Sequence, residues 1–107
     1  MDAIIAQGFD GRILSWNPAA ERVYGYTQAQ ALTMNVRQLI PDEAMADWER
    51  TSDLIRQGRP VEPYGTRRRA RDGRELAVWL VPTALLGDDG RPYALGTTER
   101  YLGISDT

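Results

Sequence analysis

The three copies of one tripeptide, at Asp10-Gly11-Arg12, Asp72-Gly73-Arg74 and Asp89-Gly90-Arg91, constrain this chain more than any other feature. Each lies between apolar runs. Asp-Gly in that setting is the strongest short-range hairpin signal, because a tight primed turn needs positive φ and Gly adopts it without strain. The first hairpin joins "DAIIAQGF" to "RILSW", the second "GTRRRA" to "RELAVWLV", and the third "VPTALL" to "RPYALGTTE". The flanks do not match one another, so one turn solution is reused and there is no sequence repeat. About five strands follow, over residues 3–8, 12–16, 61–71, 74–86 and 91–100.

The middle of the chain has helical spacing, with helices expected over residues 18–25, 28–33 and 42–57. Asn17 before Pro18 is a strong start, since the Asn side chain can accept a first-turn N–H and Pro loses nothing at the first helical position. The spacing then puts Ala20, Val23 and Tyr24 on one face and Glu21 and Arg22 on the other, until Gly25 ends the helix. Thr27 can cap the second helix. In "PDEAMADWERTSDLIRQG", Asp42 is a candidate cap, Met45, Trp48 and Ile55 form the inward stripe, and Gly58 is the stop. Two strands, a helical middle and three strands give an α+β fold in one domain over residues 1–107, an antiparallel sheet with short helices packed on one face.

What the chain lacks restricts its chemistry. It has no Cys and no His, and all 13 basic residues are Arg. Disulfides, thiolate nucleophiles, Ser-His-Asp arrangements, the usual zinc sites and a His-ligated haem are therefore excluded. Without Lys there is no Schiff base and no phosphate-loop lysine. The adjacent carboxylates Asp42 and Glu43, and Asp88 and Asp89, sit beside Pro or Gly and read as a helix start and a turn. No catalytic residue and no metal site emerges, and the chain is not expected to be an enzyme. Its net charge of −2 does not favour nucleic acid or an anionic membrane. Arg67, Arg68, Arg69 and Arg71 alternate on a strand without interleaved aromatics, and read as a solvated strand leading into a turn. The apolar runs are too short to span a bilayer and no signal peptide is seen, so a cytoplasmic location is expected.

The ordered set "DAII", "DGRILSWNPAAERVYGYT", "NVRQLIPDE", "RRRARDGREL" and "LGDDGRPYALGTTER" resembles the PAS domain, or sensory box, of bacterial and eukaryotic signal-transduction proteins. The resemblance covers nearly the whole chain. Two departures stand out: Thr33 lies where many members have Gly, and "TTERYLGISDT" replaces the usual Asp-Ile-Thr exit toward an effector. The resemblance implies a sheet in the order 2-1-5-4-3. It also implies a ligand cavity faced by Trp16, Ala20 and Tyr24, the last two of which helical spacing independently turns inward. The expected apolar pocket comprises Trp16, Ala20, Tyr24, Met34, Trp48 and Leu76; alternatively these side chains simply fill the core. Among family cofactors, haem lacks its His and the covalent flavin adduct lacks its Cys, while a non-covalent small ligand stays open. The implied function is a sensor that relays a small ligand or cellular cue to an effector outside this chain, such as a histidine kinase, cyclic-dinucleotide enzyme or transcription regulator. The alternative is a ligand-free dimerisation or protein-interaction module.

A final expectation comes from "LAVWLV". Strands of a half-solvated antiparallel sheet should alternate apolar and polar residues, but this one is apolar on both faces. Leu76, Val78 and Leu80 lie on one side, and Ala77, Trp79 and Val81 on the other. One helical layer covers one face only, so Ala77, Trp79 and Val81 are expected to form a homodimer face.

Overall fold

In the computed structural model, residues 1–105 are described. Each Asp-Gly-Arg closes a hairpin, though with a different turn from the two-residue primed form. In the first, the Gly8 N–H donates to the Arg12 carbonyl at 2.8 Å and the Gly11 N–H to the Gly8 carbonyl at 2.9 Å, which leaves a three-residue loop. Ala70 with Arg74 and Gly87 with Arg91 repeat the pattern. Among the described residues positive φ is confined to Gly, with 90° at Gly11, 89° at Gly73 and 77° at Gly90. A primed turn would force the Asp to positive φ as well. Here the Asp stays at negative φ, and its carboxylate accepts the N–H of the Arg two residues on, at 3.0, 3.0 and 2.9 Å in chain order.

The five strands are β1 (Ala3–Gln7), β2 (Ile13–Trp16), β3 (Tyr64–Arg69), β4 (Glu75–Leu86) and β5 (Pro92–Ile104). They form one antiparallel sheet in the order β2-β1-β5-β4-β3. Two strands differ from the expected spans. β3 is shorter, since Pro60 and Pro63 cannot donate to a ladder. β5 runs on past residue 100 through a bulge: Val78 faces Tyr101 and Ala77 faces Gly103, so Leu102 is the extra residue, and Gly103 takes φ 128°.

The helices α1 (Pro18–Tyr24), α2 (Gln28–Ala31) and α3 (Asp42–Arg56) cover the inner face, with a short 3-10 helix, Val36–Leu39, between the last two. The 3-10 helix was not legible as a separate element, and α2 stops short of residue 33. Asn17 caps α1 as its spacing implies, accepting the Ala20 N–H at 2.9 Å. Thr27 caps α2 in a reciprocal box with Gln30. Asp42 is not a cap. Pro41 holds that position with no side-chain bond, and Asp42 and Glu43 occupy the first turn, where carboxylates complement the helix dipole. Gly58, at φ 78°, ends α3 by donating to the Ile55 carbonyl at 2.9 Å.

One hydrophobic cluster lies between sheet and helices, built on Ile5, Ile13, Trp16, Tyr24, Trp48 and Val78 among others. The glycines of the turns are not equally replaceable. A Cβ on Gly11 would lie 2.3 Å from Asn35 Oδ1, the atom that caps the 3-10 helix through the Arg37 N–H, whereas a Cβ on Gly73 meets nothing within 4 Å. Gly73→Ala should cost about 1–2 kcal/mol from left-handed backbone alone. Gly11→Ala should cost about 1 kcal/mol more because the cap is displaced. Urea denaturation of the two variants checks the difference, and equal losses would contradict it.

Candidate functional site

Strand periodicity puts Ala3, Ile5 and Gln7 of β1, and Leu95, Thr97 and Glu99 of β5, on the face beneath the helices. Three of these six residues are polar, and all three are buried. A buried polar group must find a partner, and these find each other. The Trp48 indole N–H donates to Gln7 Oε1 at 2.7 Å, the Gln7 amide to the Thr97 hydroxyl at 3.3 Å, and the Thr97 hydroxyl to Glu99 Oε2 at 2.7 Å. The Tyr24 hydroxyl donates to Glu99 Oε1. Two helices are thereby tied through the centre of the sheet to one carboxyl group.

The directions are forced by chemistry. An indole N–H only donates, so the oxygen of the Gln7 amide must face Trp48 and its nitrogen must face Thr97. Thr97 then receives on its oxygen and gives its proton to Glu99. Every donor in the chain points toward Glu99, which is 2 % exposed.

The six expected pocket residues lie together. Trp16, Ala20, Tyr24, Trp48 and Leu76 belong to the core cluster, and Met34 packs against it. The Trp16 and Tyr24 rings are 5.6 Å apart, and the Trp16 indole N–H is held by the Tyr26 carbonyl at 2.9 Å. The guanidinium of Arg37 lies 4.6 Å from the centre of the Trp48 ring, a cation–π contact. The surface clefts take these residues separately. Tyr24 lines one of about 360 Å³ between α1 and the β3–β4 turn, while Leu76 lines a neighbouring one of about 260 Å³ with Arg22, Val23, Arg74 and Tyr101.

The reading of the basic run as a solvated strand is corrected at its second residue. Arg68 is 2 % exposed and sits on the inner face opposite Leu76, while Arg69 points outward. Its Nη1 donates to the Arg67 carbonyl at 2.8 Å and is 3.5 Å from the Thr66 hydroxyl; its Nε has no partner. Gln7, Thr97, Glu99 and Arg68 were all missed in the sequence. The signal for the first three was the period of 2 carried through the polar positions as well as the apolar ones. No comparable signal marks Arg68, because alternation through Arg67–Arg69 allows either phase. On the opposite face of the sheet Trp79 is 43 % exposed, with Ala77 and Val81 half-buried beside it. Among the described residues no group of three or more His, Cys, Asp and Glu side chains could hold a metal ion, and no helix is long and apolar enough to cross a membrane.

Burial, then the Glu99 carboxylate, raises the pKa of Tyr24 well above its ordinary value of 10.0; the charge of Arg68 opposes them. Burial likewise raises that of Tyr64, whose hydroxyl is 2.7 Å from that of Thr51. A raised native pKa means that the folded state holds protons the unfolded chain gives up. This contribution is complete below about pH 10 and is lost as pH rises through the native values. The urea midpoint should therefore fall between about pH 9 and about pH 11, and fall less in Tyr24→Phe. At neutral pH the same variant should lose about 1–3 kcal/mol, because one Glu99 oxygen is left unpaired. An unchanged midpoint at neutral pH would contradict the bond.

The comparisons agree with this geometry. The family model described as PAS fold matches residues 2–100. No curated protein matches the chain by sequence. Among solved structures, the PAS domain of a protein from Colwellia psychrerythraea is 22 % identical over 95 % of this chain and 86 % of its own, with a TM-score of 0.82. A PAS domain from a two-component sensor histidine kinase is 28 % identical over 94 % of this chain and 84 % of its own, with a TM-score of 0.75. The PAS domain of the RpfR quorum-sensing receptor of Cronobacter turicensis, in complex with C12:0, is 14 % identical over 94 % and 93 %, with a TM-score of 0.77. With the helix-covered sheet in the order β2-β1-β5-β4-β3 and a family match over nearly its full length, the chain belongs to the PAS fold family.

Proposed function

We propose that this PAS domain is a cytoplasmic, non-catalytic sensory module that takes a small ligand among Trp16, Ala20, Tyr24, Met34, Trp48 and Leu76 and relays its presence along β5 to an effector domain. The observation that carries the reading is the hydrogen-bonded chain from Trp48 and Tyr24 to Glu99. A ligand that replaced one of these donors would change how α1 or α3 holds β5, the strand that leads toward the C-terminus. Such a ligand acts by favouring one of two arrangements, and its effect is bounded by its difference in affinity for them.

The relatives support the coarse part of this reading, since PAS domains are generally sensory and the histidine-kinase neighbour places one beside a signalling enzyme. A histidine kinase, a cyclic-dinucleotide enzyme or a transcription regulator would each serve as the effector. The Cronobacter neighbour illustrates a PAS domain in complex with a small molecule. Cofactor chemistry is narrowed by composition: with no Cys and no His, the chain offers no thiol for a flavin adduct and no imidazole for a haem iron. Native protein should release a small molecule on denaturation that mass spectrometry detects, and adding it back should raise the melting temperature. Protein that releases nothing, and that no compound in a metabolite library stabilises, would overturn the ligand reading.

A second reading, homodimerisation through the outer sheet face, is favoured by a separate observation. Trp79 shares that face with Ala77 and Val81, and Ile4, at 53 % exposure, extends the apolar surface on β1. Sedimentation at high micromolar concentration should show a dimer that Trp79→Ala weakens by about 10-fold or more, as expected for a central aromatic anchor. A monomeric parent protein would overturn it.

A further inference from the structure

The clefts that hold Tyr24 and Leu76 are two parts of one surface groove, since Arg22, Val23 and Arg74 bound both. One part, of about 360 Å³, runs from that shared wall to Tyr24 and Ala70; the other, of about 260 Å³, runs to Leu76 and Tyr101. The apolar surface continues beyond Tyr101. Val78 faces Tyr101 and Leu76 faces Ile104 in the β4–β5 ladder, so Tyr101 and Ile104 lie on the same face of the sheet. Strict alternation would turn residues three apart to opposite faces, and the bulge at Leu102 cancels that. Both side chains are exposed. Exposed apolar surface rimmed by polar residues marks an interaction site more often than a bare surface does.

The rim carries one sign of charge. Arg22, Arg71 and Arg74 stand around the groove against a single carboxylate, Asp72, which Arg74 engages at 2.6 Å. None of the ion pairs among the described residues includes Arg22 or Arg71. Arg71 is nonetheless held in place, with its guanidinium 5.9 Å from the centre of the Tyr26 ring and Nη1 3.5 Å from the Gln30 side-chain oxygen. Other clefts are balanced: Arg37 and Arg56 meet Glu49 and Asp53 beside α3, and Arg12 meets Asp10 at the first turn. A net positive groove in a chain of net charge −2 is therefore a local feature.

We propose that this groove docks an acidic segment of a partner protein, with apolar side chains of the segment seated in its two parts and carboxylates on Arg22, Arg71 and Arg74. Charge complementarity selects the sign of the partner, and the two apolar depressions select a peptide. A phosphate backbone or a lipid headgroup would satisfy the arginines and leave Leu76, Tyr101 and Ile104 uncovered. The segment would touch α1 through Val23 and β5 through Tyr101, two residues beyond Glu99. The proposal goes beyond the sensory reading and does not depend on a ligand among the core side chains.

The test selects peptides from a random library on the immobilised full chain and uses the strongest binder as the probe. Selected peptides should be rich in Asp and Glu and carry at least a pair of large apolar residues. Binding should weaken steadily between about 50 mM and about 500 mM salt. Arg22→Gln with Arg71→Gln should weaken it about 10-fold, both residues being exposed and expendable for folding. Asp72→Asn should strengthen it about twofold, because Asn retains an oxygen for the Arg74 N–H while the competing charge is removed. Tyr101→Ala should weaken it without altering its salt dependence. On titration, NMR signals of Val23, Ala70, Leu76 and Tyr101 should shift. Selection of peptides with no acidic excess, or of none, would overturn the proposal. So would shifts confined to Trp79 and its neighbours, unchanged affinity in the double Arg variant, or tighter binding to phosphatidylserine vesicles or single-stranded DNA than to the probe. Each of these outcomes leaves the reading of an interior ligand standing.

Discussion

The requirement that polar groups on the inner face of the sheet be satisfied without water governs much of this structure. Ala3 pairs with Glu99 and Ile5 with Thr97, which sets Gln7, Thr97 and Glu99 on one face within reach of one another. The donor-only indole of Trp48 then orients the whole series. A shift of one residue between β1 and β5 would put Gln7 on the opposite face from Thr97 and Glu99 and break the series between Trp48 and the carboxyl group. Register is thus specified by polar pairing as well as by the apolar pattern.

The same interior depends on how the chain leaves β2. Asn17 Oδ1 accepts both the Ile4 and the Ala20 N–H, at 3.0 and 2.9 Å, and Nδ2 donates to the Asp2 carbonyl at 3.1 Å. One side chain thereby joins the start of β1 to the first turn of α1. Pro18 follows with its φ already suited to a helix. The consequence is positional: Trp16, the last residue of β2, and Tyr24, the last of α1, end with their rings in contact, and the Tyr24 hydroxyl reaches Glu99 across the core. Capping, usually a matter of local helix stability, here places a side chain of the buried hydrogen-bonded chain.

Features controlled by neighbours in sequence were the legible ones. The three turns, the caps at Asn17 and Thr27, and the inward face of α1 all arise from contacts within a few residues, so composition and spacing announce them. The turn type was misread because Asp-Gly suits two loops, and the choice between them depends on strand pairing. Asp42 was misplaced by one position for a similar reason: Pro41 tolerates a cap site that Asp would fill better, and only the path of the preceding chain decides. Arg68 was least accessible to the sequence. Its burial depends on which phase β3 takes against β4, a fact held in the register Arg68 with Leu76 and in no local pattern.

Arg68 and Glu99 bring the energetic argument to a point. Replacing a whole buried charged network by apolar side chains of similar volume is often neutral or stabilising, whereas removing one member strands its partners. An all-apolar inner face would serve a passive scaffold better and would need no chain of donors directed at one carboxyl. The polar groups are also not scattered. Glu99 and Thr97 lie on β5, the strand that pairs with both β1 and β4, while their donors Tyr24 and Trp48 come from the helical layer. In that position a change in a single hydrogen bond would alter the contact between the helical layer and the central strand, and this is the contact through which the proposed relay would act.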